Sequence, residues 1–137
     1  MSELSDEYEI VAIHSSSRES AGTIRISTRT GPPWQLLATL PSGEHEAHSG
    51  DDLHSCLLSL RRSLETKDIL LCCQGARPDV FVSGIKRQME GGCYGFTFDP
   101  ESREVGEEVD ILAPALASEV GTVEEQRRNI YKLAGLE

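Results

Sequence analysis

Apolar side chains recur first at every second residue and later at every third or fourth, and this change of period divides the chain into strands and helices. Glu9 to His14 (EIVAIH) reads as a first strand, followed by a polar turn of Ser15, Ser16, Ser17 and Arg18. From Thr23 to Thr28 (TIRIST) the alternation is strict. Ile24 and Ile26 fall on one face, Arg25 and Ser27 on the other, the pattern of a half-buried antiparallel strand. Gly31-Pro32-Pro33 breaks it, Trp34 to Leu40 (WQLLATL) forms a third strand, and Pro41-Ser42-Gly43 closes that one. Glu44 to His48 supplies a short fourth. Short runs separated by turn residues predict a meander of consecutive hairpins.

The period then changes. Leu53, Leu57, Leu60 and Leu64 form one apolar stripe at helical spacing, flanked by Cys56 and Leu58. Ser49 with Asp52 is read as the capping box that opens this helix. Asp51 and Asp52 favour the positive end of its dipole, and Arg61 and Arg62 suit the negative end. Asp68 to Cys73 (DILLCC) is continuously apolar and predicts a strand buried on both faces in the middle of the sheet. Cys93 to Phe98 alternates again, with Tyr94, Phe96 and Phe98 on one side. Val109 to Leu112 reads either as an edge strand or as a cover for the core. Thr122 with Glu125 forms a capping box for a terminal helix. Val123, Arg127, Ile130 and Ala134 mark its inner face, with Tyr131 and Leu133 beside it, and Gly135 stops it.

Strands grouped ahead of the helix argue for an α+β fold rather than a βαβ repeat. The expectation is a mainly antiparallel, twisted sheet of roughly five to seven strands, a helix packed on one face, and a C-terminal helix. At 137 residues the chain has the length of one domain, 1–137, and two independent cores would be too small. Residues 1–7 read as a flexible acidic lead-in.

Charge narrows the partners. With 23 acidic residues against 13 basic, the net charge is −10, which repels phosphate backbones and anionic lipid and draws basic partners. Nucleic acid and membrane are therefore not expected, although acidity also serves solubility alone. Met1 to Glu9 lacks the basic and apolar regions of a signal peptide, and no apolar run approaches the roughly 18 residues of a membrane span. Cys56, Cys72, Cys73 and Cys93 form no CxxC pair, which points to free thiols in a reducing cytoplasm.

Gln74 to Gly92 (QGARPDVFVSGIKRQMEGG) joins two strands and carries four glycines with Arg77, Asp79, Lys86, Arg87 and Glu90. A connection this long holds structure of its own or serves a function. Asp79 to Val82 could form a short strand, and Arg77 and Asp79 could pair across a turn. A structural loop and a binding surface are both open readings. In the second, Arg77, Lys86 and Arg87 would hold an anionic ligand.

Neither GxxxxGK[ST] nor GxGxxG occurs, and Gly91-Gly92 precedes a strand, so no nucleotide cofactor is expected. His45 and His48, near Glu44, Glu46 and His54, would face opposite sides of a strand, so no metal is expected either. Among the thiols, Cys93 beside the glycines is the best candidate nucleophile, since Cys56, Cys72 and Cys73 fall on buried positions. Carboxylates abound from Asp99 to Asp110, six against Arg103 alone, but a solvated acidic loop does not raise a carboxyl pKa as general acid catalysis requires. No catalytic residue is assigned.

From Ser49 to Phe98, the capped leucine helix, the apolar strand and GARPDVFVSGIKRQMEGG resemble a group of small bacterial proteins of similar length. Their shared pattern is a strand, a Gly/Ala-Arg-x-Asp pair, Ser-Gly/Arg-Met/Ile-x-Arg-x-Met-x-Gly-Gly, and an aromatic strand. The VEEQR of Val123 to Arg127 is also similar, and about half of the chain is covered. Some proteins of this type are immunity partners of secreted polymorphic or contact-dependent toxins. The resemblance implies a cytoplasmic, non-catalytic protein, monomeric or homodimeric, that blocks a basic toxin domain. The acidic surface expected to meet that partner comprises Glu101, Glu104, Glu107, Glu108 and Asp110, joined by Glu44 and Glu46. The alternative is a small-ligand protein or enzyme using the Gln74 to Gly92 loop.

Overall fold

The computed structural model describes residues 4–135 and shows an α+β architecture. β1 (Leu4–His14), β2 (Ser20–Arg29), β3 (Trp34–Thr39) and β4 (His45–Gly50) form the expected antiparallel meander, and β5 (Ile69–Leu71) joins the far side of β1. The resulting five-stranded sheet has the order β4-β3-β2-β1-β5. Alternation fixes its register. Ile10 lies opposite Ile24 and Ile26 opposite Ala38, and all four are buried on the same face. On the reverse face Glu9 lies opposite Arg25, both exposed. β1 begins earlier than the sequence implied: Leu4 already pairs with Arg29, so backbone pairing reaches into the supposed lead-in. Residues 1–3 lie outside the described residues.

α1 (Leu53–Glu65) packs against β3, β4 and β5. Its leucine stripe is buried as predicted, together with Cys56. Each fully buried leucine contributes roughly 1.5–3 kcal/mol. The predicted start is corrected. Ser49 belongs to β4, and the cap is Asp52, whose carboxylate accepts a 2.7 Å hydrogen bond from the Ser55 amide. Arg61 also departs from expectation, since it is buried rather than solvated near the helix end.

β5 is not central. It is an edge strand whose outer side is covered by irregular chain: the Ala115 amide donates to the Cys72 carbonyl at 3.0 Å, and Cys73 bridges Pro114. Covering an edge without adding a strand also satisfies its backbone groups, and this explains why the run looked doubly buried.

The Gln74 to Gly92 connection is structured throughout. A single 3₁₀ turn (Gln74–Ala76) leads into β6 (Val80–Phe81), then α2 (Gly84–Glu90). β6, β7 (Tyr94–Phe98) and β8 (Val105–Asp110) make a second antiparallel sheet of three strands in that order. The sequence had read much of the acidic stretch as solvated loop, but its second half is strand β8, and Ile111 and Leu112 beyond it enter the main core. β7 does not bury its aromatics alike: Tyr94 is exposed and Phe98 buried, while Phe81 sits 6.0 Å from Phe96 and 5.7 Å from Phe98 between ring centroids.

α3 (Val123–Ala134) has the predicted capping box, with the Thr122 amide donating to Glu125 at 2.8 Å, and Gly135 ends it in the left-handed region. Its inner face is rotated from the expected one. Gln126 is the buried residue, Asn129, Ile130 and Leu133 are half-buried, and Arg127 and Ala134 face outwards. Gln126 turns inward because Arg61 requires a partner. The guanidinium donates to Gln126 Oε1 at 2.6 Å and to the carbonyls of Gly75 and Gly121 at 3.0 and 3.3 Å. Gln126 in turn donates to the carbonyls of Gly75, Arg77 and Val80. This network ties α1, α3 and β6 together. Among the described residues, no helix is long and apolar enough to cross a membrane.

Candidate partner-binding surface

The β7–β8 hairpin is shaped by its own acidic tip. Asp99 Oδ1 accepts hydrogen bonds from the amides of Glu101 and Ser102 at 2.8 and 3.2 Å, and the Asp99 amide donates to the Glu104 carbonyl at 2.9 Å. Arg103 takes a left-handed conformation (φ 66°) with its amide on the Asp99 carbonyl. An aspartate bonding the backbone two residues on is a standard turn former, so these bonds hold the tip in one conformation.

The predicted acidic residues separate into two groups. Glu101, Glu104 and Glu107 are exposed. Glu101 has one weak partner, Lys132 at 3.8 Å, and among the described residues no cation lies within ion-pair distance of Glu104 or Glu107. Glu108 is instead paired with Lys86, and Asp110 is half-buried, accepting from the Leu112 amide at 2.9 Å. β8 pairs with β7 on one side only and forms an edge of its sheet. A shallow groove of about 530 Å³ runs beside it, with Arg77 and Asp79 on one wall and Glu104 and Glu107 on the other.

The loop candidates are drawn into internal pairs. Arg77 donates from Nε and Nη2 to the two Asp79 oxygens at 2.9 and 2.8 Å, and from Nη1 to Gln74 at 2.9 Å, so the predicted pair forms. Lys86 bridges Glu90 and Glu108 and lies 5.2 Å from the Phe96 ring centre. Arg87 donates to Asp52 at 2.6 Å and to Ser55 at 2.8 Å, which docks α2 on the N-terminus of α1. Burial works to raise the Asp52 pKa, but the bonds from Arg87 and Ser55 outweigh it and hold the carboxyl below its usual value.

The remainder of the SGIKRQMEGG stretch has a structural account. Ser83 caps α2, accepting from the Lys86 amide. Gly91 and Gly92 both adopt positive φ, and the Gly91 carbonyl accepts from the Leu53 amide at 2.8 Å. A Cβ on Gly91 would stand 2.3 Å from the Trp34 ring, so glycine is required by both conformation and space. Ile85 and Met89 remain without such an account.

Sequence reasoning missed a hydrogen-bonded chain beneath β4. His48 Nδ1 lies 2.7 Å from Ser59 Oγ and its Nε2 lies 2.8 Å from Glu46, whose second oxygen accepts from Ser63. Burial favours a raised Glu46 pKa, but the bonds from His48, Ser63 and Lys67 outweigh it and lower the value. Glu46 is therefore engaged by His48, Ser63 and Lys67, and Glu44 lies 3.4 Å from Lys67. The trio of Ser59, His48 and Glu46 has the composition of a nucleophile relay. Ser59, however, is mid-helix and lines neither the hairpin groove nor the groove of about 520 Å³ beside α3, so the chain pins edge strand β4 to α1.

Other candidates for chemistry are likewise embedded. Burial pushes the thiols of Cys56 and Cys73 up to about 11 and raises Cys72, so these are poor nucleophiles. Cys93 is half-buried. Burial, followed by the Arg87 charge, lowers His54 to about 4 and keeps it neutral. Among the described residues, no three His, Cys, Asp or Glu side chains are grouped to hold a metal. No protein-family profile matches the chain, and a search of curated proteins finds no match.

Proposed function

We propose that this chain is a non-catalytic binding protein that neutralises a basic protein domain, as an immunity protein does a toxin, through the acidic β7–β8 hairpin. One observation carries the reading. The three loop cations, Arg77, Lys86 and Arg87, are each occupied by internal acids, whereas Glu101, Glu104 and Glu107 stand on a preformed hairpin without a close ion pair, Glu101 having Lys132 at 3.8 Å and Glu107 only the more distant charge of Arg77. An anionic ligand for the loop would have to displace those internal pairs. A cationic partner meets carboxylates that are already placed, which speeds encounter and selects for charge.

The test is capture from extracts of the source cells on the immobilised protein, in parallel with the charge-reversed hairpin E101K/E104K/E107K. The expected result is a basic protein retained by the native hairpin, released by salt, and lost with the reversed one. Retention of no basic protein, or equal retention by both, would remove the proposal.

A further inference from the structure

Among the described residues the two sheets end on the edge strands β4, β5, β6 and β8, and all but one of these edges are blunted. β5 is covered by the chain at Pro114 and Ala115. β6 is two residues long, and its Val80 carbonyl accepts from Gln126. β8 is irregular in register between Phe96 and Phe98, carries glutamates, and gives its Asp110 carbonyl to the Ala113 amide. β4 has none of these devices. It pairs with β3 without a break from His45 to Gly50 and contains neither proline nor lysine.

The ladder with β3 fixes which groups of β4 are free. The Leu40 amide donates to the Glu44 carbonyl at 2.9 Å, and Glu46 and His48 follow at every second residue, so their amides and carbonyls point to β3. The amides and carbonyls of His45, Ala47 and Ser49 point the other way, and among the described residues none of them is hydrogen-bonded. The strand is also held ready. The bonds among Ser59, His48, Glu46 and Ser63 pin its other face to α1, and a backbone pairing along the edge leaves every one of them in place.

This edge is complementary to itself. Set antiparallel about a two-fold axis at Ala47, it places Ala47 opposite the second copy's Ala47 and His45 opposite the second copy's Ser49. Every outward residue then meets an outward residue, giving about six backbone hydrogen bonds. Sliding the copy by two residues either way loses bonds and sets Glu46 against Glu46 or His48 against His48. In the Ala47 register Glu46 faces His48, and no like charges meet. Leu37, 42% exposed, lies opposite Ala47 within the protomer, so the same register aligns Leu37, Ala47, Ala47 and Leu37 as one apolar row across the seam. We infer that β4 is the seam of a homodimer, in which two five-stranded sheets join into one through antiparallel β4 pairing centred on Ala47. The inference does not rest on the acidic hairpin, which belongs to the other sheet.

The test is sedimentation of the full chain from micromolar to submillimolar concentration, together with cysteine cross-linking. The expected result is a concentration-dependent species of twice the 15.0 kDa chain mass. A47P should weaken it at least tenfold, because proline removes the central donor, and the fold tolerates the change at an edge amide that bonds nothing within the protomer. The two Ala47 residues form a hydrogen-bonded pair with Cα atoms about 5.5 Å apart, within disulfide reach. The two Ser49 residues stand roughly 13 Å apart along the seam, beyond it. Under mild oxidation A47C should therefore cross-link into dimers and S49C should not, each read against the native chain, whose Cys93 is half-buried. A chain that stays monomeric at every concentration would overturn the inference and leave the edge to a strand of another protein. A dimer that A47P leaves unchanged, or failure of A47C to cross-link faster than S49C, would place the interface elsewhere and overturn it too. Should A47P not fold, the cross-linking contrast decides alone. The capture experiment reads the acidic hairpin separately, so the two proposals fail independently.

Discussion

Around α1, the five-stranded sheet closes a continuous apolar core that runs from Ile10 and Ile24 through Leu57 and Leu60 to Ile111 and Leu112. The three-stranded sheet buries Val80 and Phe98 and carries a helix with no buried residue at all. The first region is held by burial, the second by directed polar contacts: a guanidinium on a capping aspartate, an ammonium between two glutamates, and two glycines shaped to Trp34 and His54. Burial is non-directional and persists at any salt concentration, whereas each of these ion pairs has one half-exposed member (Arg87, Glu90 or Glu108) that solvent and salt reach, which weakens it. A region held in the second manner is the one expected to open locally and to exchange internal contacts for those of a partner.

The largest effect is expected where Arg61 staples the two regions together. Replacing Arg61 with Met takes the donor from the Gly121 carbonyl and from Gln126 Oε1, leaves the Gly75 carbonyl to Gln126 alone, and should lower stability by about 3 kcal/mol, read from the urea midpoint. A loss below about 1 kcal/mol would show that water or Gln126 takes over.

Acid acts next at the junction of the two regions, where Arg87 and Asp52 flank His54. The folded pKa of His54, about 4, lies below the unfolded value of about 6.5, so between these limits the unfolded chain binds more protons. Stability should therefore fall as pH drops from about 6.5 to about 4, by on the order of 2 kcal/mol, and His54→Gln should flatten that slope. Asp52, with its pKa lowered, adds a further loss below about 3.9, as pH falls through its folded value. A native protein with no slope in the upper window would contradict the burial of His54.

Gly91→Ala probes the docking of α2 alone. The left-handed conformation and the Trp34 ring together should cost about 1–2 kcal/mol, with faster amide exchange in α2 and unchanged protection in β1 to β3. Uniform loss of protection would mean that the two regions unfold as one. The smallest effect is expected at the hairpin. E101Q/E104Q/E107Q should change stability by no more than about 0.5 kcal/mol, because these side chains make no strong internal contact.

The division between the regions also explains what the sequence disclosed. The alternation of Ile24 and Ile26 and the Leu53 to Leu64 stripe are local patterns that burial enforces, and both appeared where expected. Arg77 with Asp79 was legible because the two are neighbours in sequence. Ser49 and Asp52 are both competent caps. The choice between them fell to Asp52 because Ser49 pairs with Gln35 in the sheet while Arg87 reaches Asp52 from α2. Arg61 read only as a charge suited to the helix end, and Gln126 carried no signal, because the carbonyls that receive them come from segments remote in sequence. The edge position of β5 was hidden because an irregular segment covers its free side as a strand would. For the binding surface, the acidic residues were legible as a group. The separation of Glu101, Glu104 and Glu107 from the internally engaged Glu108 and Asp110 required the Lys86 contact and the Leu112 amide.

In the function proposed above, the second region, not the apolar core, meets the partner. Calorimetric titration of the captured basic partner against the native chain and E101Q/E104Q/E107Q, at low and high salt, tests it most directly. Native affinity should fall steeply with salt, and the variant should bind at least tenfold more weakly with a shallower dependence. Equal affinity and equal salt dependence for the two proteins would contradict the account.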